Sequence, residues 1–471
     1  MSDLHDLTLL EQASAVRDRS VSPLQLVEHY LARIDKLSDT VGAFVTVTDE
    51  RALESARKAT EVLVDDVTDL PPLFGVPTAI KDLNLVAGVP TSFGTSARPP
   101  VDLGIDDAVV AKLKSAGLIS LGKTNTPEFG LPCYTEPDVA PPARTPWDLS
   151  RSAGGSSGGA AAAVAAGLVP AAQGSDGGGS IRIPASVCGL FGIKPSRGRV
   201  SNAPLSAEIS GLAVNGPLAR TVRDAAALLD AMAGPTASDW QWAPQPRTSF
   251  LALCDAAPGR LRIGRFATPV IADTDVHPDC IAAYEAASAL LESFGHDVVD
   301  HTPTFSHELV PAFETVWSQE FLALPLEPEV EARTRPMTRW IRDRGRATTG
   351  AEFYGALARL RQAARTELAA THGFDAVLTP TLAQPPAPVG GLRNDDDPAA
   401  DFEAQKRFTP FTAPYNMSGQ PAVTVPIWWN DADLPIGIQL IGRPYGEDAL
   451  LALSAQLEAA QPWAERRPAC W

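Results

Sequence analysis

At 471 residues the chain is long enough to fold as two or three average domains around a sizeable core. Its 45% hydrophobic and 20% charged residues match a soluble globular enzyme, while a net charge of −17 and a pI near 4.9 argue against nucleic acid and anionic membrane as partners. Five scattered cysteines (Cys133, Cys188, Cys254, Cys280 and Cys470), odd in number and without C-x-x-C spacing, suggest neither a disulfide framework nor a zinc site and fit a reducing cytoplasm.

The chain opens on Met1 to Asp6, polar and acidic, with no basic n-region or apolar h-region. Residues 8–19 and 23–36 then carry helical periodicity. In the second, Ser22 supplies an N-cap, Pro23 the first helical position, and Leu24, Val27, Tyr30, Leu31 and Ile34 the apolar stripe. Val41 to Val47 alternates as a strand and Asp49 to Val64 reads as a further helix. All of these are packing elements.

Pro71 to Leu85 differs, because Lys81 sits inside a strand-like apolar run of Val76, Ala79, Ile80, Leu83 and Leu85. Two readings stay open on the residues alone: the lysine snorkels its ammonium to water, or desolvation lowers its pKa and makes it a base near neutral pH. Asp82 beside it stabilises the turn or pairs with an arginine. Asp106 to Ala116 is a helix feeding a strand at Leu118 to Gly122. Gly117 to Thr124 (GLISLGKT) matches the pattern of a phosphate-binding loop. Its four intervening residues read as buried strand, however, and Asn125-Thr126-Pro127 stands where the loop's helix should run on. Phe129 to Arg144 is proline-rich and aperiodic, the composition of a surface loop.

Gly154 to Ala185 is the most unusual stretch. Two clusters of glycine and serine, Gly154 to Gly159 and Gly174 to Ser180, flank an alanine run from Ala160 to Ala166. Alanine favours helix and lets it sit close to a sheet, so the middle reads as a tightly packed buried helix. A flexible linker would not bury Val164, Leu168 and Val169. The glycines and serines also interrupt Gly154 to Ala172, the nearest approach to a transmembrane span. Glycines permit positive φ and leave backbone amides uncovered by side chains. The remaining reading is a serine nucleophile with a backbone oxyanion hole.

GGSSGG followed by SDGGGSIRIPAS is similar to the amidase signature family of serine hydrolases. The similarity continues in Gly75 to Leu83 (GVPTAIKDL), Leu121 to Gly130 (LGKTNTPEFG), Pro146-Trp147-Asp148, Gly192 to Gly198 (GIKPSRG) and Asn215 to Arg220 (NGPLAR). It returns in Pro414 to Pro426 (PYNMSGQPAVTVP) and Pro435 to Leu440 (PIGIQL). These ordered blocks cover nearly the full length, and LGKTNTPEFG accounts for the phosphate-loop match.

The resemblance implies a relay in which neutral Lys81 takes the proton of Ser156, Ser156 takes that of Ser180, and Ser180 attacks the carbonyl. Ser156 would return a proton to the leaving amine. The Gly155–Ser156 peptide is expected to be cis, and the amides of Gly177, Gly178, Gly179 and Ser180 to bind the developing oxyanion. Asp176, Arg182 and Ser157 are expected to hold the loops without reacting. Glycine at 177, where many relatives carry a larger residue, implies a looser loop or a roomier pocket. In the family the segment at Phe129 to Arg144 borders the substrate cleft, so Leu131, Cys133 and Tyr134 are candidates for its lining. Cys133 has no histidine nearby in sequence and is read as a wall residue. The seven histidines all lie outside the blocks that carry the resemblance, which leaves the base to Lys81.

From Asp230 onward the pattern weakens. Pro235 to Thr248 is a polar connection, Leu261 to Phe266 a strand, Pro278 to Phe294 a helix and His296 to Val299 a strand. Val310 to Ala369 is mostly helical, with core aromatics at Phe313, Trp317, Phe321, Trp340, Phe353 and Tyr354; the resemblance implies that this region caps the active site and sets substrate choice, which makes some of these aromatics candidates for lining the acyl or leaving-group pocket. Phe374 to Pro380 is a buried strand, and Arg393 to Asp401 an acidic, mobile loop. Val423 to Pro426 and Ile436 to Ile441 return to the sheet before a final helix at Glu447 to Ala459.

The expected fold is α/β, a mixed central β-sheet flanked by helices on both faces, in a single domain over 1–471. Within it lie an N-terminal helical part (1–70), a signature core (71–230), a variable helical cap (231–410) and a C-terminal return to the sheet (411–471). The expected function is hydrolysis of small, fairly apolar amides, anilides or carbamates, with no cofactor, no metal, no nucleic acid and no membrane. A nylon-oligomer hydrolase is an alternative. A subunit of a tRNA-dependent amidotransferase is another, although those usually read SIRQPA where this chain has Ile183. A homodimer is left open, and the cytoplasm is the expected location.

Overall fold

Eleven strands join in one mixed sheet among the residues that the computed structural model describes, 3–64, 69–206 and 208–471. Met1 and Ser2 of the polar opening segment lie outside them. In chain order the strands are β1 (Phe44–Val47), β2 (Pro77–Lys81), β3 (Ile119–Thr124), β4 (Ala171–Asp176), β5 (Phe191–Lys194) and β6 (Val214–Ala219). The remaining five are β7 (Arg262–Arg265), β8 (Asp297–Asp300), β9 (Ala376–Pro380), β10 (Ala422–Trp429) and β11 (Pro435–Gly442). Across the sheet they run β1-β3-β2-β4-β6-β5-β10-β11-β9-β7-β8. β2 pairs in parallel with β3 and β4, and β7 with β8 and β9; the other pairs are antiparallel.

Parallel strands need crossover connections, which put helices over the faces of a sheet. Neighbouring residues on one strand show that both faces are covered. Ile80, Ala171 and Ala219 enter one apolar cluster, while Ala79, Ala172 and Leu218 enter another. Successive side chains of a strand point to opposite faces, so the two clusters lie on the two sides of the sheet. The first takes residues from helices Leu9–Arg17, Ala108–Ser115, Val222–Met232, Pro278–Ser293 and Glu447–Ala460, and the second from Pro23–Val41, Asp49–Val64, Gly158–Ala165 and Arg182–Cys188. This is the expected mixed sheet between two helical layers. Among the described residues no helix is long and apolar enough to cross a membrane.

The alanine run forms a helix buried at every residue, Gly158–Ala165. A Cβ on Gly159 would lie 2.4 Å from the Asn125 nitrogen and 2.5 Å from the Ala43 oxygen, so the helix starts directly against neighbouring backbone. Close approach of this kind explains why the stretch carries no large side chains.

Several elements differ from expectation. The helix from Pro23 runs past residue 36 to Val41, where Gly42 at φ 62° ends it, so β1 begins at Phe44. Phe129 to Arg144 is irregular, with one short 3₁₀ turn at Glu128–Gly130, but residues 131–137 are buried beneath the cap. Tyr354 is 76% exposed and no core aromatic, whereas Phe321 is buried and Phe313, Trp317, Trp340 and Phe353 pack against the core. The acidic segment from Arg393 is pinned, not mobile. Arg335 and Arg393 both bind Asp395 at 2.6 Å, and Pro398 already begins a helix, Pro398–Phe408, capped by Asp397.

Candidate active site

Lys81 ends β2, whose partners β3 and β4 bury it completely. Its backbone amide donates to Gln173 Oε1 at 2.8 Å, which fixes where the side chain leaves the strand. Nζ donates to Ser156 Oγ at 2.8 Å, to Ser175 Oγ at 3.0 Å and to the Ser175 carbonyl at 3.4 Å. The ammonium therefore does not snorkel. Burial draws this lysine down to about 7, with the charge of Asp176 opposing. Asp82, the adjacent residue, pairs with a lysine and not an arginine: Lys123 Nζ reaches it at 2.9 Å, and the backbone and hydroxyl of Ser92 also donate to it.

Ser156 sits on the turn before the alanine helix. The Gly155–Ser156 peptide is cis, and the Ser156 carbonyl accepts from Thr126 Oγ1 at 3.0 Å. A Cβ on Gly155 would lie 2.8 Å from the backbone of Tyr134, so only glycine fits before the serine. Ser157 ties this turn to β4 and to the second glycine cluster. Its amide donates to the Ser180 carbonyl at 3.2 Å, its hydroxyl donates to the Ser175 carbonyl at 3.1 Å, and the Ser175 amide donates to that hydroxyl at 3.2 Å. The residue after Ser156 is thereby joined to the backbone of Ser180.

The loop that carries Ser180 is locked by a buried ion pair. Asp176 accepts from the amides of Gly179 (2.8 Å) and Ile181 (3.1 Å) and from Arg182 at Nε (3.0 Å) and Nη2 (2.9 Å). Burial works to raise this carboxyl, but the Arg182 guanidinium, helped by Lys194 and Asn416, holds it below the usual carboxylate range. Arg182 in turn donates to the Thr412 carbonyl, Gln439 Oε1 and Asn416 Oδ1, while Thr412 Oγ1 donates to the Gly178 carbonyl at 2.6 Å. The Gly179 amide is thus already taken. Among the described residues the amides of Gly177, Gly178 and Ser180 donate to no protein acceptor, and backbone donors left free beside a serine suit a carbonyl oxygen that gains charge.

Glycine at 177 does not make this region roomier. The indole of Trp317 fills the space, with Cη2 3.2 Å and Cζ3 3.3 Å from where a Cβ on Gly177 would stand. At Gly178 a Cβ would meet nothing within 4 Å. The expected lining residues divide. Leu131 joins an apolar cluster with Phe321, Met337, Ile341 and Phe402. Tyr134 instead donates its hydroxyl to Asp401 at 2.6 Å and Cys133 donates its amide to Gln405 at 2.9 Å, so both tie the segment to the cap helix Pro398–Phe408. Burial pushes the Cys133 thiol well up, which removes it as a nucleophile.

Sequence reasoning missed three contributors. Ser175 touches Lys81 and lies inside the SDGGGS block, where its position just before Asp176 was the available signal. Asn416 and Gln439 lie in the two C-terminal blocks and hold Arg182. Trp317 is foreseen only as one of six cap aromatics that the resemblance makes candidates for the pocket lining; helical spacing alone does not single it out. Histidines are engaged elsewhere, His5 with His29 at 3.0 Å and His296 with Gln456 at 3.0 Å. Among the described residues no three His, Cys, Asp or Glu side chains come together as a metal-ligand set.

Known proteins resemble this chain over nearly its whole length. The family model described as Amidase matches residues 25–451. The 6-aminohexanoate-cyclic-dimer hydrolase of Paenarthrobacter ureafaciens is 35% identical over 480 residues, which span 97% of this chain and 95% of that one. Among solved structures, 6-aminohexanoate cyclic dimer hydrolase complexed with substrate superposes with a TM-score of 0.91 at 32% identity, over 99% of this chain and 100% of that one. A bacterial aryl acylamidase of the amidase signature enzymes superposes with a TM-score of 0.88 at 27% identity, over 98% of each chain.

Proposed function

This chain belongs to the amidase signature family, hydrolases that act on amide C–N bonds, and from that premise we propose that it cleaves small, fairly apolar amides, anilides or carbamates through an acyl-enzyme on Ser180. The observation that carries the reading is Lys81 Nζ at 2.8 Å from Ser156 Oγ, with the lysine buried and drawn down to about 7. A neutral amine at that distance accepts the Ser156 proton as Ser156 accepts that of Ser180, and Ser180 Oγ attacks the carbonyl carbon. The oxygen gains its charge against the Gly177, Gly178 and Ser180 amides; one such donor is typically worth about 3–4 kcal/mol in the transition state. The proton then returns from Lys81 through Ser156 to the leaving nitrogen, the C–N bond breaks, and water attacks the acyl-Ser180 ester by the same relay in reverse.

Two similarities support the substrate class. The aryl acylamidase points to anilides, and the cyclic-dimer hydrolase to an aliphatic amide, which keeps nylon oligomers as the second reading. The test is turnover of a panel comprising an aliphatic amide, a nitroanilide, an aryl carbamate, 6-aminohexanoate cyclic dimer and an ester. Ser180→Ala is expected to lower anilide or carbamate turnover by a factor on the order of 10⁴ or more, and Ser156→Ala to lower it by a comparable factor. Retained hydrolysis in Ser180→Ala refutes the acyl-enzyme, and turnover confined to the cyclic dimer selects the second reading.

A further inference from the structure

The helix Val310–Leu322 carries Phe313, Trp317 and Phe321 four residues apart, which places all three rings on one face. Phe313 stacks on Trp317 with centroids 5.5 Å apart and planes at 20°, and Trp317 meets Phe321 edge-on at 5.1 Å. The benzo edge of the indole rests where a side chain at 177 would begin. The same indole packs into the apolar cluster that holds Leu131, Phe321 and Phe129. A partly buried tryptophan therefore closes the open side of the glycine loop, three residues before Ser180.

The two sides of the site can be told apart by chemistry. In the reading above, which this inference rests on, the carbonyl oxygen lies at the Gly177 and Gly178 amides, so the substituent over Gly177 belongs to the acyl part. The leaving nitrogen must face Ser156, which returns its proton. A Cβ on Gly130 would stand 3.4 Å from Ser156 Oγ, so the backbone at Gly130 flanks the leaving group. We propose that Trp317 is the specificity-determining wall of the acyl pocket, and that the preferred acyl group is a flat or slender apolar one that lies along the indole above Gly178. Gly177 belongs to the same device, since a Cβ there would press on the indole at 3.2 Å.

The experiment measures kcat/KM for two series of substrates. One varies the acyl group of a nitroanilide from acetyl through benzoyl to diphenylacetyl; the other keeps acetyl and enlarges the arylamine. Trp317→Ala is expected to raise the diphenylacetyl-to-acetyl ratio at least about tenfold and to change the ratios within the arylamine series by much less. Trp317→Phe keeps a ring between Phe313 and Phe321 but loses the benzo edge, and is expected to shift the same ratio in the same direction by less. Equal effects on all acyl sizes, or a shift that follows the arylamine instead, overturns the wall. Absence of any Ser180-dependent turnover by wild type overturns the underlying reading and is distinguishable from these.

Discussion

Lys81 shows how one residue couples activity to stability. It is wholly buried without a carboxylate in contact, its nitrogen held among the hydroxyls of Ser156 and Ser175 and the Ser175 carbonyl, and burial draws it down to about 7. As the proton acceptor of the relay it must be neutral. We therefore expect kcat/KM to rise about tenfold per pH unit up to about pH 7 and to level above it, with that limb absent in Lys81→Met, whose residual rate should depend on hydroxide alone. The sign of the stability effect follows from the direction of the shift. The unfolded chain keeps this proton up to the ordinary lysine range while the folded chain releases it near 7, so between those values the unfolded state binds one more proton and stability rises with pH. Lys194, lowered to about 7 by burial and then by the charge of Arg182, adds a second slope of the same sign, which makes the difference between variants the useful quantity. Lys81→Met should flatten the dependence of unfolding free energy by ~1.4 kcal/mol per pH unit between pH 7 and 10, and should melt above wild type at pH 7. An unchanged slope in urea titrations across that window means that Lys81 is protonated in the folded protein.

At the scale of elements, the glycine loop has no packing of its own and takes its shape from what surrounds it. Asp176 at the end of β4 collects two loop amides, and Arg182 at the start of the next helix carries that lock to Thr412, Asn416 and the β11 residue Gln439. Two segments more than two hundred residues apart in sequence thus fix three backbone donors. Removing one partner of a buried ion pair leaves an uncompensated charge, at a cost typically about 3–5 kcal/mol. Arg182→Leu should lose stability of that order at pH 7.5 in urea unfolding, together with nearly all activity. Because Arg182 holds the Asp176 carboxyl below its ordinary range, the pair contributes fully above the ordinary carboxylate value and fades as acid approaches the folded one. In Arg182→Leu the carboxyl titrates higher, so the deficit against wild type should shrink from pH 7.5 to pH 5. A deficit that stays constant over that range assigns the loss to packing of the guanidinium and not to its charge.

At the scale of the whole molecule, legibility in the sequence follows from how local each signal is. Ser22 and Pro23 announce their helix because a cap and a fixed φ act within one turn, and β2, β3, β9 and β11 announce themselves as apolar runs. β4 reads AAQGSD and β6 VNGPLA, small and polar residues buried by contacts that no local pattern encodes. The meeting of Lys81 and Ser156 was legible because their blocks are distinctive, whereas the place of Trp317 against Gly177 was not, since partner choice there depends on distant chain. The cap supplies the last test. Arg393 to Asp401 has the composition of a mobile acidic loop, yet Asp401 is buried and accepts from Tyr134 Oη (2.6 Å), the Asn394 amide (2.9 Å) and Gln405 Nε2 (2.7 Å). Tyr134 belongs to the buried segment before the alanine helix, so this one hydroxyl joins cap to core. Tyr134→Phe removes a donor from a buried carboxyl, at a cost of about 1–3 kcal/mol. If that energy is spent in holding the cap segment down, trypsin should cut after Arg393 at least about tenfold faster in the variant, while the urea midpoint of the whole protein moves little. Cleavage that accelerates only in step with global unfolding would show instead that cap and core open as one unit.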